Sequence, residues 1–204
     1  MSDRDRKIED LAEAVQAFCR ALDPPEEALV HLEETPRKVA ELWMDHFMEG
    51  YSTTPARVLE KTSPGPDGSM VIMRDLDFYS ICPHHFLPSH GRAHLAYEST
   101  GTLAGFGTMA KLVNACSHRL MLQEEVTQFI ADSLFNELGA RRAACCIEAV
   151  QLCLLVKRKN MAGKVVTMAF AGDFTDQERL EISSLIKPDK TDGNCEVNFS
   201  CSGF

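Results

Sequence analysis

Apolar residues three and four apart open the chain. Ile8, Leu11, Val15, Phe18 and Leu22 fall on one face of a helix over residues 5–21. Asp23-Pro24-Pro25 ends it, because proline lacks the amide hydrogen a helix needs. A second helix is predicted from Thr35-Pro36, with Thr35 as N-cap and Pro36 at the first helical position, running to about Met48 before Gly50. Residues 62–69, Thr-Ser-Pro-Gly-Pro-Asp-Gly-Ser, are turn formers. They read as the boundary between an N-terminal helical segment, 1–61, and a sheet-bearing core, 70–186.

From Met70 the apolar period shortens. Val71-Ile72-Met73 and Leu76 to Phe78 read as a strand leading into Cys82-Pro83-His84-His85, with His94-Leu95-Ala96-Tyr97 as its hairpin partner. Helices are predicted over 108–118 and 121–138, the second with Leu122, Val126, Phe129, Ile130, Leu134 and Leu138 along one face. Two apolar runs follow, 143–157 and 164–172, read as strands joined by Lys157-Arg158-Lys159-Asn160. A last helix runs from Asp176 to Ile186, and a polar tail spans 187–204. The order strand, strand, helix, helix, strand, strand predicts an α+β fold: an antiparallel four-stranded sheet with two helices on one face. Open sheet edges need cover, so a homo-oligomer is expected.

Composition narrows the function. A chain of 204 residues with 45% hydrophobic and 25% charged residues supports one ordinary core. Its net charge of −9 argues against a nucleic-acid partner, which needs a basic surface. No stretch approaches the ~20 apolar residues of a membrane span, and Met1 to Lys7 is too charged to begin a signal peptide. A cytoplasmic protein without membrane contact is expected. Eight cysteines in such a chain read as reduced thiols, some of them on a metal.

Cys82 and His85 have the C-x-x-H spacing that lets two side chains reach one tetrahedral zinc, and Cys153 is the candidate third ligand. Three protein ligands leave a fourth position for water, the mark of a catalytic site. His84 would then stand beside that water, placed for proton transfer. The bland alternative is a half-buried pair at a strand end. Against it, adjacent histidines in a short loop make little sense as core packing. Cys19, Cys116, Cys145 and Cys146 read as small core residues, and Cys195 and Cys201 as tail thiols. His31, His46, His90, His94 and His118 have no partner spacing that singles them out. Glu124 and Glu125 open a helix, where negative charge is favoured anyway. A carboxylate there could also accept paired N–H donors from a guanine-like ring. The Lys157 loop is either a solvated turn or a phosphate grip.

These residues, in this order, resemble GTP cyclohydrolase I, a tunnelling-fold family. The likeness runs from Thr35-Pro36-Arg37-Lys38-Val39-Ala40 to the last helix. It is densest at Cys82-x-His84-His85, Gly91-x-x-His94-x-Ala96-Tyr97, Leu122-Gln123-Glu124 and Glu148-Ala149-Val150-Gln151-Leu152-Cys153. The resemblance implies Zn2+ on Cys82, His85 and Cys153, proton transfer by His84, and a guanine edge held by Gln123 and Glu124. It also implies a homodecamer with active sites between subunits.

The departures fall on two functions. Gln151 stands where the family usually has a histidine that donates a proton during ribose opening, and an amide does not titrate. In Gly105-Phe106-Gly107-Thr108-Met109-Ala110-Lys111, Gly107 replaces a serine linked to the later rearrangement, and Thr108 a phosphate-binding lysine. Lys111, Lys157 and Lys38 stand for phosphate-binding arginines, keeping charge without the bidentate fork. Pro83 replaces a glutamate. The reading this supports is a hydrolase that opens a guanine nucleotide or related purine at C8, with the later rearrangement to a pterin slow or absent. The rivals are an ordinary GTP cyclohydrolase I making 7,8-dihydroneopterin triphosphate and formate, a non-catalytic nucleotide- or zinc-binding homologue, and a structural zinc module.

Overall fold

The computed structural model describes residues 2–157 and 163–186; residues 158–162 and 187–204 and the side chain of Lys157 lie outside the described residues. Helix α1 (Asp3–Ala21) is capped reciprocally: Ser2 Oγ accepts from the Asp5 amide, and the Asp5 carboxylate accepts from the Ser2 amide. Only the N-terminal half of its apolar face is covered. Ile8 is buried, whereas Phe18 and Leu22 are 64% and 63% exposed.

A short helix α2 (Glu26–Leu32) follows Pro25, where no helix is predicted; seven residues are too few to show a helical period. In α3 (Thr35–Leu42), Thr35 is the first helical residue and not the cap; its hydroxyl donates to the His31 carbonyl at 3.2 Å. The helix also stops being α-helical well before Met48. It widens into a π turn, Trp43–Phe47, closed by the Met48 amide on the Trp43 carbonyl at 2.9 Å, and then tightens into a 3₁₀ turn, Glu49–Ser52. A further unpredicted helix, α4 (Pro55–Leu59), is capped by the Thr54 side chain.

Strand β1 (Thr62–Ile81) begins where the turn-forming segment is expected. Residues 62–64 pair with 102–104 of β2 (Pro88–Ala104), and register shifts at Pro64/Asp67 and Asp67/Met70 absorb the prolines and glycines. Proline is tolerated there because β1 is an edge strand, with one side of its backbone unpaired. With β3 (Arg142–Gln151) and β4 (Lys164–Ala171) the sheet is antiparallel, in the order β1-β2-β3-β4.

Period two sorts the sheet's faces. Leu95, Tyr97, Cys145 and Ile147 pack with Met109 and Leu112 of α5 (Phe106–Ser117) and with Val126, Ile130 and Leu134 of α6 (Gln123–Asn136). Ala96, Ala144 and Cys146 face the other way, under Ile182 and Ile186 of α8 (Asp176–Ile186; α7 is described below). Two helices therefore cover one face as predicted, and the last helix covers part of the opposite one. Arg142 ties α8 down, bonding Glu98 at 2.6 Å and Glu178 at 2.5 Å. Among the described residues, no helix is long and apolar enough to cross a membrane.

Candidate active site

The loop between β1 and β2 carries the Cys-His cluster. The Cys82 amide donates to the Leu87 carbonyl at 3.0 Å, and the Phe86 amide to the Cys82 carbonyl at 2.9 Å, closing one tight turn. This turn brings Cys82 Sγ to 3.6 Å from His85 Nδ1 and 4.0 Å from His84 Nδ1. β3 ends opposite the start of β2, with Gln151 paired to Ser89, so whatever follows Gln151 emerges beside this loop.

Cys153 follows it, in the first turn of helix α7 (Leu152–Lys157), not on a strand as predicted. The run Leu152-Cys153-Leu154-Leu155-Val156 suits either state, because a short continuous apolar run carries no period. The ligand atoms of Cys82, His85 and Cys153 all lie within 4.8 Å of one another. A tetrahedral zinc with Zn–S of about 2.3 Å and Zn–N of about 2.05 Å needs an S···N edge of about 3.6 Å, which is the separation of Cys82 Sγ and His85 Nδ1. Cys153 is buried, Cys82 intermediate and His85 exposed, so the cluster opens on its histidine side. Burial, and then the adjacent Cys82 thiol, push the Cys153 thiol above its ordinary pKa; a cation between the two sulfurs relieves that opposition.

Gln123 and Gln151 meet. Gln151 Nε2 donates to Gln123 Oε1 at 2.6 Å. Gln123 Nε2 in turn faces the Ile147 carbonyl at 3.1 Å, the Val165 carbonyl at 3.0 Å and Thr167 Oγ1 at 3.1 Å. The Gln123 side chain, expected to help hold a guanine edge, is buried against the sheet and accepts from Gln151. Glu124, next along, is exposed at the start of α6, and Glu125 is used locally, accepting from the Leu122 amide at 2.8 Å.

Lys38 is exposed on α3 and paired with Glu34 at 2.7 Å. Lys111, exposed on α5, lines a shallow cleft of ≈ 240 Å³ with Glu49, Ser52, Thr53, Val58 and Asn114. The Lys157 side chain and Arg158-Lys159-Asn160 lie outside the described residues.

Two histidines that spacing does not single out are buried, His118 beside Tyr79 and His94 in the middle of the sheet. His118 Nδ1 lies 2.7 Å from Glu49 Oε1, and its ring stacks on Tyr79 at 3.9 Å. Burial holds its pKa low against the opposing pull of Glu49. His94 Nδ1 accepts from the Asp75 amide at 3.2 Å. No sequence signal marks the Glu49–His118 pair, because its partners are 69 residues apart.

A four-stranded antiparallel sheet with a Cys-His-Cys cluster at the end of neighbouring strands is the frame of a tunnelling-fold hydrolase. The family model for GTP cyclohydrolase I matches residues 11–187. A GTP cyclohydrolase 1 of Chromobacterium violaceum is 42% identical over 170 residues, covering 82% of this chain and 80% of that protein. That of Ralstonia nicotianae is 41% identical over 160 residues, 77% of each. That of Brucella canis is 35% identical over 170 residues, 81% and 78%. The chain belongs to the GTP cyclohydrolase I family. Among solved structures, an archaeosine synthase QueF-like protein in the apo form has a TM-score of 0.45 at 14% identity over 54% of this chain and 100% of that one, too slight a likeness to bear on function.

Proposed function

We propose that this protein is a zinc-dependent hydrolase that opens the imidazole ring of a guanine nucleotide or related purine at C8, and that Gln151 makes the later ribose rearrangement slow or absent. The observation that carries it is the convergence of Cys82, His85 and Cys153 within 4.8 Å, open on one side, with His84 alongside. Two sulfurs and one imidazole nitrogen suit zinc. When bound there, zinc supplies Lewis acidity that brings the pKa of water toward ~7. His84 delivers a proton to the purine ring nitrogen as water adds at C8. Glu124 accepts the N–H donors of the guanine edge, and Lys38, Lys111 and Lys157 attract the phosphates. Gln151 offers hydrogen bonds but no titrating proton.

A homo-oligomer, a decamer by family likeness, belongs to the same proposal. Among the described residues, β1 and β4 are the outer strands of the sheet, each with one neighbouring strand, and Phe18, Leu22, Leu29 and Val30 are at least half exposed in the N-terminal segment.

A second reading, ordinary GTP cyclohydrolase I, is favoured by the names and 35–42% identities of the relatives. Incubation of zinc-loaded protein with GTP, GMP, guanosine and guanine, followed by mass spectrometry, separates the two. A product heavier by one water, lost in Cys153→Ser, is the expected result. Dihydroneopterin triphosphate formed as fast as the ring opens would overturn the restriction placed on Gln151. No ring opening of any of the four would overturn the hydrolase reading.

A further inference from the structure

Resting on the zinc reading above, we propose that Trp43 is a positioning residue for the metal centre: it holds the Phe86 ring and so fixes the turn that carries Cys82, His84 and His85. Phe86 adopts φ 52°, a left-handed conformation that a bulky L-residue avoids unless its surroundings hold it there. Phe86 is 57% exposed, so burial in the core does not hold it. What the ring meets is Trp43, centroid to centroid 5.7 Å at 55°.

Trp43 is itself braced. Its ring packs edge-on against Phe47 at 5.7 Å and 84°, and Phe47 against Tyr79 at 6.0 Å and 73°. Tyr79 stacks on His118, whose Nδ1 is engaged by Glu49. This row of rings leads from the π turn after α3 back to β1, three residues before Cys82. The π turn is an irregularity of a kind that often marks functional segments, and here it places Trp43 and Phe47 side by side.

The backbone bonds from Cys82 to Leu87 and from Phe86 to Cys82 close the loop. They bracket the Phe86 dihedrals, its own amide on one side and the Leu87 carbonyl on the other, and the Trp43 contact holds the same conformation from the side chain. His85 shares a peptide unit with Phe86, so a return of Phe86 to right-handed φ turns the His85 backbone and carries its Nδ1 away from Cys82 Sγ. Trp43 thus acts on the ligand set without touching it.

Trp43 is the only tryptophan in the chain, so tryptophan emission reports on the surroundings of this one ring. The test is zinc affinity, measured by competition with a chromophoric chelator in the full-length protein, alongside Trp43 emission. Wild type should bind zinc with a shift in Trp43 emission, and the shift should vanish in Cys153→Ser. Trp43→Ala should bind zinc about tenfold more weakly, as outer-shell losses do. Trp43→Phe, which keeps an aromatic face, should fall within about threefold of wild type. In a Phe86→Gly background, where left-handed φ is no longer strained, Trp43→Ala should have no further effect.

Far-UV circular dichroism and metal-free melting identify variants that fold. If Trp43→Ala does not fold, Phe86→Ala at its exposed position carries the same tenfold expectation. Wild-type affinity in a folded Trp43→Ala or Phe86→Ala protein would overturn the proposal. So would a Trp43→Ala loss that persists undiminished with Gly at position 86, since Trp43 would then act through the fold at large. Zinc binding absent from wild type itself would remove the metal reading and this inference with it.

Discussion

The side-chain amide of Gln151 is bonded to Gln123 Oε1 at 2.6 Å, two residues before Cys153. Because Gln123 Nε2 is directed at the carbonyls of Ile147 and Val165, its Oε1 must be the acceptor and Gln151 the donor. The amide pair is therefore read in one orientation only. It joins the centre of the sheet to the residue beside the proposed metal site.

That acceptor is equally suited to orient an imidazole N–H. Gln151→His is expected to restore a titrating group and raise formation of dihydroneopterin triphosphate from GTP by at least about tenfold, within the range of general acid–base catalysis. The fluorescence of the oxidised product measures it. Unchanged product with intact ring opening would show that Gln151 is not what limits the later steps.

Gln123→Leu retains most of the side-chain volume but strips hydrogen bonds from buried carbonyls and from Thr167. A loss of about 1–3 kcal/mol is expected, read as a lower urea midpoint with the same slope. Stability equal to wild type would mean that water replaces the amide.

Gly91→Ala should be among the most damaging single changes. A Cβ there would lie 1.8 Å from the Glu148 carbonyl oxygen and 2.5 Å from Ala149 Cα. Both neighbours belong to β3, which is paired on its other side with β4 and has no room to retreat. More than about 4 kcal/mol should be lost, beyond the ordinary range for point changes. A soluble protein with wild-type melting would contradict this close approach of β2 and β3.

His94 should make stability fall in mild acid. Its side chain is fully buried, and its Nε2 has no hydrogen-bond partner among the described residues. Burial above all holds its pKa below the ordinary value; Asp75 and Glu148 oppose that, while Arg74 and Arg92 add to it. As pH falls below about 6.5, the unfolded chain takes up the proton first. Stability that is full above the unfolded pKa is therefore lost as pH drops through the folded one. Metal-free melting temperature should decline between about pH 7.5 and about pH 5.5, and more gently in His94→Gln. His118, lowered by burial in the same direction, should account for part of the remaining slope. An identical slope in the variant would rule His94 out.

Local chemistry made much of this protein legible. The periodicity of Val126, Ile130 and Leu134 announces α6 and its buried face, because helical spacing depends only on neighbours along the chain. The Cys82–His85 spacing likewise announces two side chains that can meet, since both sit on one turn. Where a short segment suits two conformations, sequence reasoning failed. Residues 62–64 look like a turn because proline and glycine usually mark one. They form a strand because an edge position does not need their amides. Leu152 to Val156 reads as a strand and is a helix for the same kind of reason: its local pattern is indifferent, and the end of β3 decides.

By itself, then, the sequence determined the α+β order of elements, the Cys82, His84 and His85 cluster, and the family. The tertiary structure decided that Cys153 meets that cluster from a helix, that Gln123 turns inward to hold Gln151, and that Trp43 reaches Phe86. Those three relationships join residues 28 to 71 positions apart. No local preference encodes such distances; they are set by strand register and by the packing that register allows.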